Sequence, residues 1–233
     1  MADDEVPDVP DVPASQTLDR GIRVLEHLAT TRTPQSIATV AAAVGVHRSV
    51  AYRLLRTLEA HRLVERDAEG SYGVGLGVVG LSRAVRRTLQ AAATPELARL
   101  VQELGMTAFL VVRDGAEAVT VNAVEPRDSP AHVAFRPGNR HPVHLGATGL
   151  ALLVPEPPAD DDRAELVAAR ARGWASSLGE VIPGMRAVAA PVRRPDGSAA
   201  GALAVIFVDQ TVDDAEVGAA LVTAADRVSH ALG

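Results

Sequence analysis

The chain has 233 residues, no cysteine and a formal net charge of −6, a length that suits two modest domains. The missing cysteine excludes disulfides, thiolate metal sites and cysteine nucleophiles. No apolar run approaches the ~20 residues of a membrane-spanning helix, and the N-terminus is acidic and proline-rich rather than basic and apolar, so the expectation is a cytoplasmic protein with no signal peptide and no membrane partner.

All 23 basic residues are arginine, which in an Ala-, Val- and Gly-rich chain reflects coding bias, so arginine count alone says little about nucleic acid. Position says more. Residues 1–14 carry five acids and no base, residues 15–87 eleven arginines against six acids, and residues 88–233 twelve arginines against eighteen acids. A basic module is joined to an acidic one, and phosphate binding depends on the local patch rather than on net charge.

Residues 1–14, with their near-repeating prolines, are expected to be a disordered acidic tail. Ser15 or Thr17 caps the first helix, whose buried stripe is expected at Leu18, Ile22, Leu25 and Leu28 or Ala29. Thr30–Pro34 reads as a loop, with Thr33-Pro34 where the next helix begins. Ser36–Ala43 is a second helical pattern, and Gly45 supplies the tight turn that follows it. In His47–Val64 the apolar residues Val50, Ala51, Leu54, Leu55 and Leu58 share one helical face. His47, Arg48, Ser49, Tyr52, Arg53 and Arg56 occupy the other, the pattern of a helix-turn-helix whose second helix lies in a DNA major groove. Leu63–Arg66 and Ser71–Val74 around Asp67-Ala68-Glu69-Gly70 read as a hairpin, the wing of a winged helix. Arg66 and Tyr72 are its candidate backbone contacts, while Asp67 and Glu69 keep that contact shallow.

Leu76–Gln90 reads as a linker helix on which Leu76, Val79 and Leu81 can pair with a second subunit, and Thr94-Pro95 marks a fresh helix start ending at Gly105. Strands are expected at Thr107–Arg113, Ala118–Val124, Ala131–Phe135, Ala187–Val192 and Ala202–Val208, with turns at Asp114-Gly115 and Pro195-Asp196-Gly197. Gly146–Leu153 and Asp162–Arg172 read as short helices. Thr211 and Asp214 can cap a last helix that turns Val217, Leu221, Ala224, Val228 and Leu232 inward. Four or five antiparallel strands flanked by helices make the fold α+β and suit a small-molecule sensor.

Leu18–Leu25, the run Gly45–Leu55, Arg140–Gly149, and Arg172–Glu180 continued by Ile182-Pro183-Gly184 to Pro191 together resemble the IclR family of bacterial transcriptional regulators over residues 15–233. The resemblance implies a tail at 1–14, a winged helix-turn-helix at 15–75, a linker helix at 76–92 and a GAF-like effector-binding domain at 93–233. It also implies a homo-oligomer, dimer or tetramer, on a palindromic double-stranded DNA operator, modulated by a small-molecule effector. His47, Arg48, Ser49, Tyr52, Arg53, Arg56, Arg66 and Tyr72 are then the DNA-binding candidates. Effector candidates are Phe109, Val111, Ala147, Thr148 and Ser177, together with Met185, Ala187, Ala204 and Ile206.

Three departures bear on the ligand. Leu150 stands where the family commonly has lysine, and the segment 154–171 is shorter than in a typical member. Of the positions aligned with the polar anchors of small oxo-acids, Ser177 is polar and Ala187, Ala204 and Ile206 are apolar. A buried carboxylate without donors costs several kcal/mol or more, so a larger apolar or aromatic acid is expected, held partly by the backbone N–H groups of Ala147 and Thr148. His141 and His144 have a zinc-like spacing, with His132 nearby, but no third ligand is evident and Pro142 makes the segment extended, so no metal or cofactor is expected. No catalytic motif is present, and Gly73-Val74-Gly75-Leu76-Gly77 ends a wing rather than opening a phosphate loop. The chain is read as no enzyme. The alternative is a ligand-sensing or enzymatic α+β domain whose helix-turn-helix contacts protein.

Overall fold

Side chains start four of the helices. Ser15 Oγ accepts from Leu18 N, Ser36 Oγ from Thr39 N, His47 Nδ1 from Ser49 N, and Asp213 Oδ1 from Ala215 N, each satisfying an amide that the first turn leaves without a partner. The computed structural model describes residues 15–84, 86–126, 136–208 and 212–233, and it divides into a unit up to residue 85 and a unit from 86 to 233. The expected tail at 1–14, the strand Ala131–Phe135, His132 and the Thr211 cap lie outside the described residues.

In the first unit, α1 (Gln16–Thr30), α2 (Ile37–Val44) and α3 (Arg48–Ala60) are followed by the antiparallel pair β1 (Val64–Arg66) and β2 (Tyr72–Val74), and then by α4 (Gly77–Ala84). Gly45 takes the left-handed conformation at φ 69° between α2 and α3, which only glycine adopts without steric cost. The core joins Val24, Leu28, Val40, Val44, Leu54, Leu55, Val64 and Tyr72. The α1 stripe differs from the sequence expectation: Gly21, Val24 and Leu28 are buried, whereas Leu18 is 64% and Ile22 47% exposed. Gly21 lies on the buried face with Val24 and Leu28, where an added Cβ would stand 4.0 Å from Leu54, an ordinary contact.

Tyr72 also departs from its expected role. It is fully buried, and its backbone exchanges two hydrogen bonds with Gln35, both 2.8 Å, tying the wing to the loop before α2. The phosphate contact expected of Tyr72 is therefore corrected to a core role.

In the second unit, α5 (Arg87–Leu104) leads to β3 (Thr107–Asp114), β4 (Glu117–Val124) and β5 (Arg140–Pro142). Then come α6 (Gly146–Leu153), α7 (Ala164–Arg172), β6 (Ala175–Leu178), β7 (Met185–Arg193), β8 (Ala199–Val208) and α8 (Asp214–Ala231). Among the described residues the strands form one antiparallel sheet of six, in the order β5-β4-β3-β8-β7-β6, where the sequence pattern predicts four or five. The two unforeseen strands, β5 and β6, are three- and four-residue edge strands, too short to show an alternation in sequence.

Alternation along the long strands gives the sheet two different faces. Leu110, Val188, Leu203 and Val205 point with Leu97, Leu100 and Leu221 into the core beneath α5 and α8. Phe109, Val111, Ala189, Ala202, Ala204 and Ile206 face α6 and α7. Helix α5 runs through Thr94-Pro95 instead of starting there. Thr94 is no cap: its Oγ1 donates to Gln90 O at 2.7 Å and accepts from Asn122 Nδ2 at 2.9 Å. Buried Leu89, Ala93, Leu97 and Leu100 hold the helix together across a proline that costs an isolated helix about 3 kcal/mol. The linker expected as one helix is broken at Arg86, which is left-handed at φ 47°. At α8 the cap is Asp213, while Asp214 accepts from Arg186 at 3.1 Å.

Trp174 packs in the α5/α8 core, with the Arg172 guanidinium 3.7 Å over its ring. A Cβ added at Gly218 would meet its ring atoms at 2.3–2.7 Å. Such overpacking costs about 1–3 kcal/mol, against the ~1 kcal/mol that alanine gains over glycine in a helix. Gly218→Ala is therefore expected to lower Tm, measured by thermal unfolding; an unchanged or raised Tm contradicts this packing. For Tyr72, whose hydroxyl is buried without a partner, Tyr72→Phe is expected to keep or slightly raise stability and to leave DNA affinity unchanged. Weaker DNA binding at unchanged stability would restore the phosphate contact.

Candidate nucleic-acid interface and ligand pocket

The interface candidates lie on α3 and the wing. Ala51, Leu54 and Leu55 fix one side of α3 in the core, which leaves His47, Arg48, Ser49, Tyr52, Arg53 and Arg56 on the exposed side. His47 is the N-cap, and its Nδ1 lies 3.0 Å from Ser49 Oγ, so the imidazole and the hydroxyl sit together at the start of the helix. Arg48 and Arg53 make no ion pair among the described residues, whereas Arg56 pairs with Glu59 at 3.1 Å. Tyr52 is 47% exposed. The first two turns of α3 thus present two unengaged guanidiniums, a hydroxyl and a phenol, groups that reach base edges and phosphates from a recognition helix. On the wing, Arg66 lies across the turn, its Nε donating to Gly70 O at 3.3 Å and its guanidinium 5.7 Å from the Tyr72 ring centroid. Arg66 is the exposed cation there, and Tyr72 supports it from beneath.

The pocket lies in the second unit, on the α6 side of the sheet, with a volume of about 20 Å³. That is room for roughly one water, so a larger ligand needs the walls to move. Phe109 of β3, Ser177 of β6, Met185 and Ala187 of β7, and Ile206 of β8 line it from the sheet. Gly146, Ala147 and Thr148 line it from the first turn of α6. Of the nine effector candidates, Val111 and Ala204 are corrected: both are buried in the sheet core beside the pocket rather than in its wall. Small side chains at Ala202 and Ala204 alternate with large ones on the other face, so residues two positions apart share a side but not a depth.

Residues that sequence reasoning missed include His141, Glu180, Val181 and Ile182. His141 is buried and its Nε2 lies 2.9 Å from Thr148 Oγ1. Its partner His144 is exposed, and among the described residues no group of His, Cys, Asp and Glu side chains is arranged to hold a metal ion. Glu180 is the main surprise. Its Oε2 accepts from Gly146 N at 2.9 Å, and Arg163 clamps it with Nη1 at 3.1 Å and Nη2 at 3.0 Å. Arg163 first, and the Gly146 amide after it, hold the Glu180 carboxyl below its ordinary range, so it is an anion at neutral pH. The Ala147 amide, expected to receive a ligand, donates instead to Ser177 Oγ at 2.8 Å. Gly146 itself is left-handed at φ 71°, and a Cβ there would meet Val181 at 2.7 Å. The one signal available in sequence was the spacing of glycines around 179–184; the Glu180–Gly146 bond spans 34 residues.

Known proteins match both parts of the chain. The IclR helix-turn-helix domain matches residues 17–68, and the bacterial transcriptional regulator IclR C-terminal domain matches residues 82–164 and 159–230. Over 144 residues the chain is 32% identical to the HTH-type transcriptional repressor AllR of Escherichia coli strain K12, covering 60% of this chain and 53% of AllR. The chain thus spans about half the length of the curated relatives it matches. The IclR transcriptional regulator of Alicyclobacillus acidocaldarius superposes with a TM-score of 0.79 at 26% identity, covering 94% of this chain and all of that one (100%). An IclR homolog from Microbacterium hydrocarbonoxydans, solved in complex with 4-hydroxybenzoate, has the same fold, with a TM-score of 0.80 at 21% identity over 93% of this chain and 98% of its own. These relatives are transcriptional regulators rather than enzymes. Matched by both of the family's domains, this chain belongs to the IclR family of bacterial transcriptional regulators.

Proposed function

We propose that this chain is an effector-responsive repressor that binds a palindromic operator as a dimer or tetramer and is released or retained by a small apolar or aromatic organic acid. The observation that carries the DNA half is the outer face of α3, where Arg48 and Arg53 are exposed and unpaired beside Ser49 and Tyr52. Arg48, Ser49, Tyr52 and Arg53 read or flank bases; His47, Arg56 and Arg66 hold phosphates. A single such helix reads one half-site, so a palindrome calls for two copies related by a two-fold axis.

For the ligand half, the pocket wall is apolar at Phe109, Ile182, Met185 and Ile206, with hydroxyls at Ser177 and Thr148. The AllR relative is a repressor, which supports a repressing output here, and the Microbacterium hydrocarbonoxydans homolog, solved in complex with 4-hydroxybenzoate, supports a compact organic acid. The module boundaries that go with this reading are 15–75 for DNA, 76–92 for the linker and 93–233 for the effector.

The test is a gel shift on DNA from the protein's own upstream region, across a salt series, with and without aromatic and aliphatic acids. Specific binding that falls steeply with salt is expected, because neutralised phosphates release counterions, and one class of acid should change it. An arginine reading guanine through two hydrogen bonds is worth about 1–3 kcal/mol of discrimination, so Arg53→Ala should cut operator preference by about 5- to 150-fold while ligand binding persists. Full operator preference in that variant overturns its base-reading role. Absence of any shift at low salt overturns the DNA reading and favours a protein-contacting helix-turn-helix.

A further inference from the structure

The loop 179–184 joins β6 to β7, and both of its terminal glycines are left-handed, Gly179 at φ 71° and Gly184 at φ 75°. Between them, Glu180 reaches back to the first turn of α6. The result is a pocket whose polar end is already partly engaged. The Gly146 amide is taken by Glu180, the Ala147 amide by Ser177, and the Thr148 hydroxyl by His141. No arginine lines the cavity; the nearest guanidinium in the network, Arg163, is engaged by Glu180 and by the carbonyl of His144 at 2.9 Å. A second carboxylate brought in beside Glu180 would meet a like charge in a partly desolvated site.

From this geometry we infer that Glu180 is the resident anion of the pocket, and that an acidic effector binds by exchange with it. The incoming carboxylate takes over the Gly146 amide and the Arg163 guanidinium, and the 179–184 loop carries Glu180 out to solvent. This rests on the effector reading above and adds to it a counter-ion, Arg163, and a displaced competitor, Glu180. Exchange suits the energetics, because one carboxylate replaces another on the same donors, and a planar guanidinium donates two parallel bonds to either. The side chains of Glu180 and Arg163 are 24% and 37% exposed, so the released carboxylate regains water without crossing the core. Departure of Glu180 also supplies the space that a pocket of about 20 Å³ lacks. The exchange selects for a single carboxylate on a compact apolar body, since Ile182, Met185 and Ile206 surround the remainder of the site.

Thermal unfolding of the full chain tests this with two acids, propionate and benzoate, against their neutral amides, propionamide and benzamide, at matched ionic strength. Glu180→Ala is expected to lower Tm, and the acids, propionate above all as the detached glutamate side chain, should restore at least half of the loss, while the amides restore none. The parent chain should respond much less to the same acids, and the double variant R163A/E180A should not respond. Should Glu180→Ala fail to fold, Glu180→Ser keeps a polar group on the loop, vacates the carboxylate position and carries the same expectation. Equal responses of parent and variant, equal responses to acids and amides, or rescue that survives the loss of Arg163 each overturn the exchange. Failure of the effector reading looks different: operator binding of the parent chain would ignore every acid, while the rescue of Glu180→Ala by propionate remained.

Discussion

The pocket depends on how closely α6 lies against the backbone that precedes it. A Cβ at Gly149 would fall 2.1 Å from the carbonyl oxygen of Val143, so only glycine lets the helix turn back over the strand that leads into it. Beneath it the sheet is carpeted with small side chains, Ala118, Ala175, Ala189, Ala202 and Ala204. The opposite face carries Leu97, Leu100, Trp174, Leu203 and Leu221. Large buried side chains contribute about 1.5–3 kcal/mol each from burial alone, so the α5/α8 face holds the sheet together and the α6 face is free to be shaped. This asymmetry is what gives the α6 side of the sheet the room for a ligand wall.

The features legible in the sequence were those with a long period or a stereochemical marker. Helix α3 shows its apolar stripe over thirteen residues, and Gly45 marks the turn before it. The long strands β3, β7 and β8 announce themselves as apolar runs. What escaped were features set by tertiary contacts. The α1 stripe lies along Gly21, Val24 and Leu28, and a glycine scores as nothing in an apolar pattern. Tyr72 looked like a surface aromatic on a wing, yet its backbone bridge to Gln35 turns it inward. Thr94-Pro95 carries a strong helix-start signature, and packing of the flanking leucines overrode it. Glu180 and His141 could not be assigned from sequence because their partners, Gly146, Arg163 and Thr148, become neighbours only when α6 and α7 are in place.

Arginine usage shows the same division between local and tertiary information. By composition the arginines of the two units are indistinguishable. In the structure they are not. Among the described residues of the first unit, the ion pair is Arg56–Glu59. In the second unit Arg113 pairs with Glu156, Arg140 with Asp114 and Glu117, Arg170 with Asp162, and Arg227 with Glu96. A guanidinium already holding a carboxylate must release it, wholly or in part, before it takes a phosphate.

That contrast ties the two sites together physically. On α3, Arg48 and Arg53 have no acidic partner to lose among the described residues, so a phosphate or base contact there breaks no ion pair, and release of counterions from the nucleic acid favours it. In the pocket, Arg163 has an acidic partner, so any anion that arrives must compete with it. On the proposed reading, one unit binds its polyanion by unopposed attraction and the other binds a small anion by substitution. Substitution has a structural consequence that unopposed attraction lacks: a protein side chain and its loop must move for the ligand to enter, and a ligand that makes no such demand has no differential affinity with which to shift a conformational equilibrium.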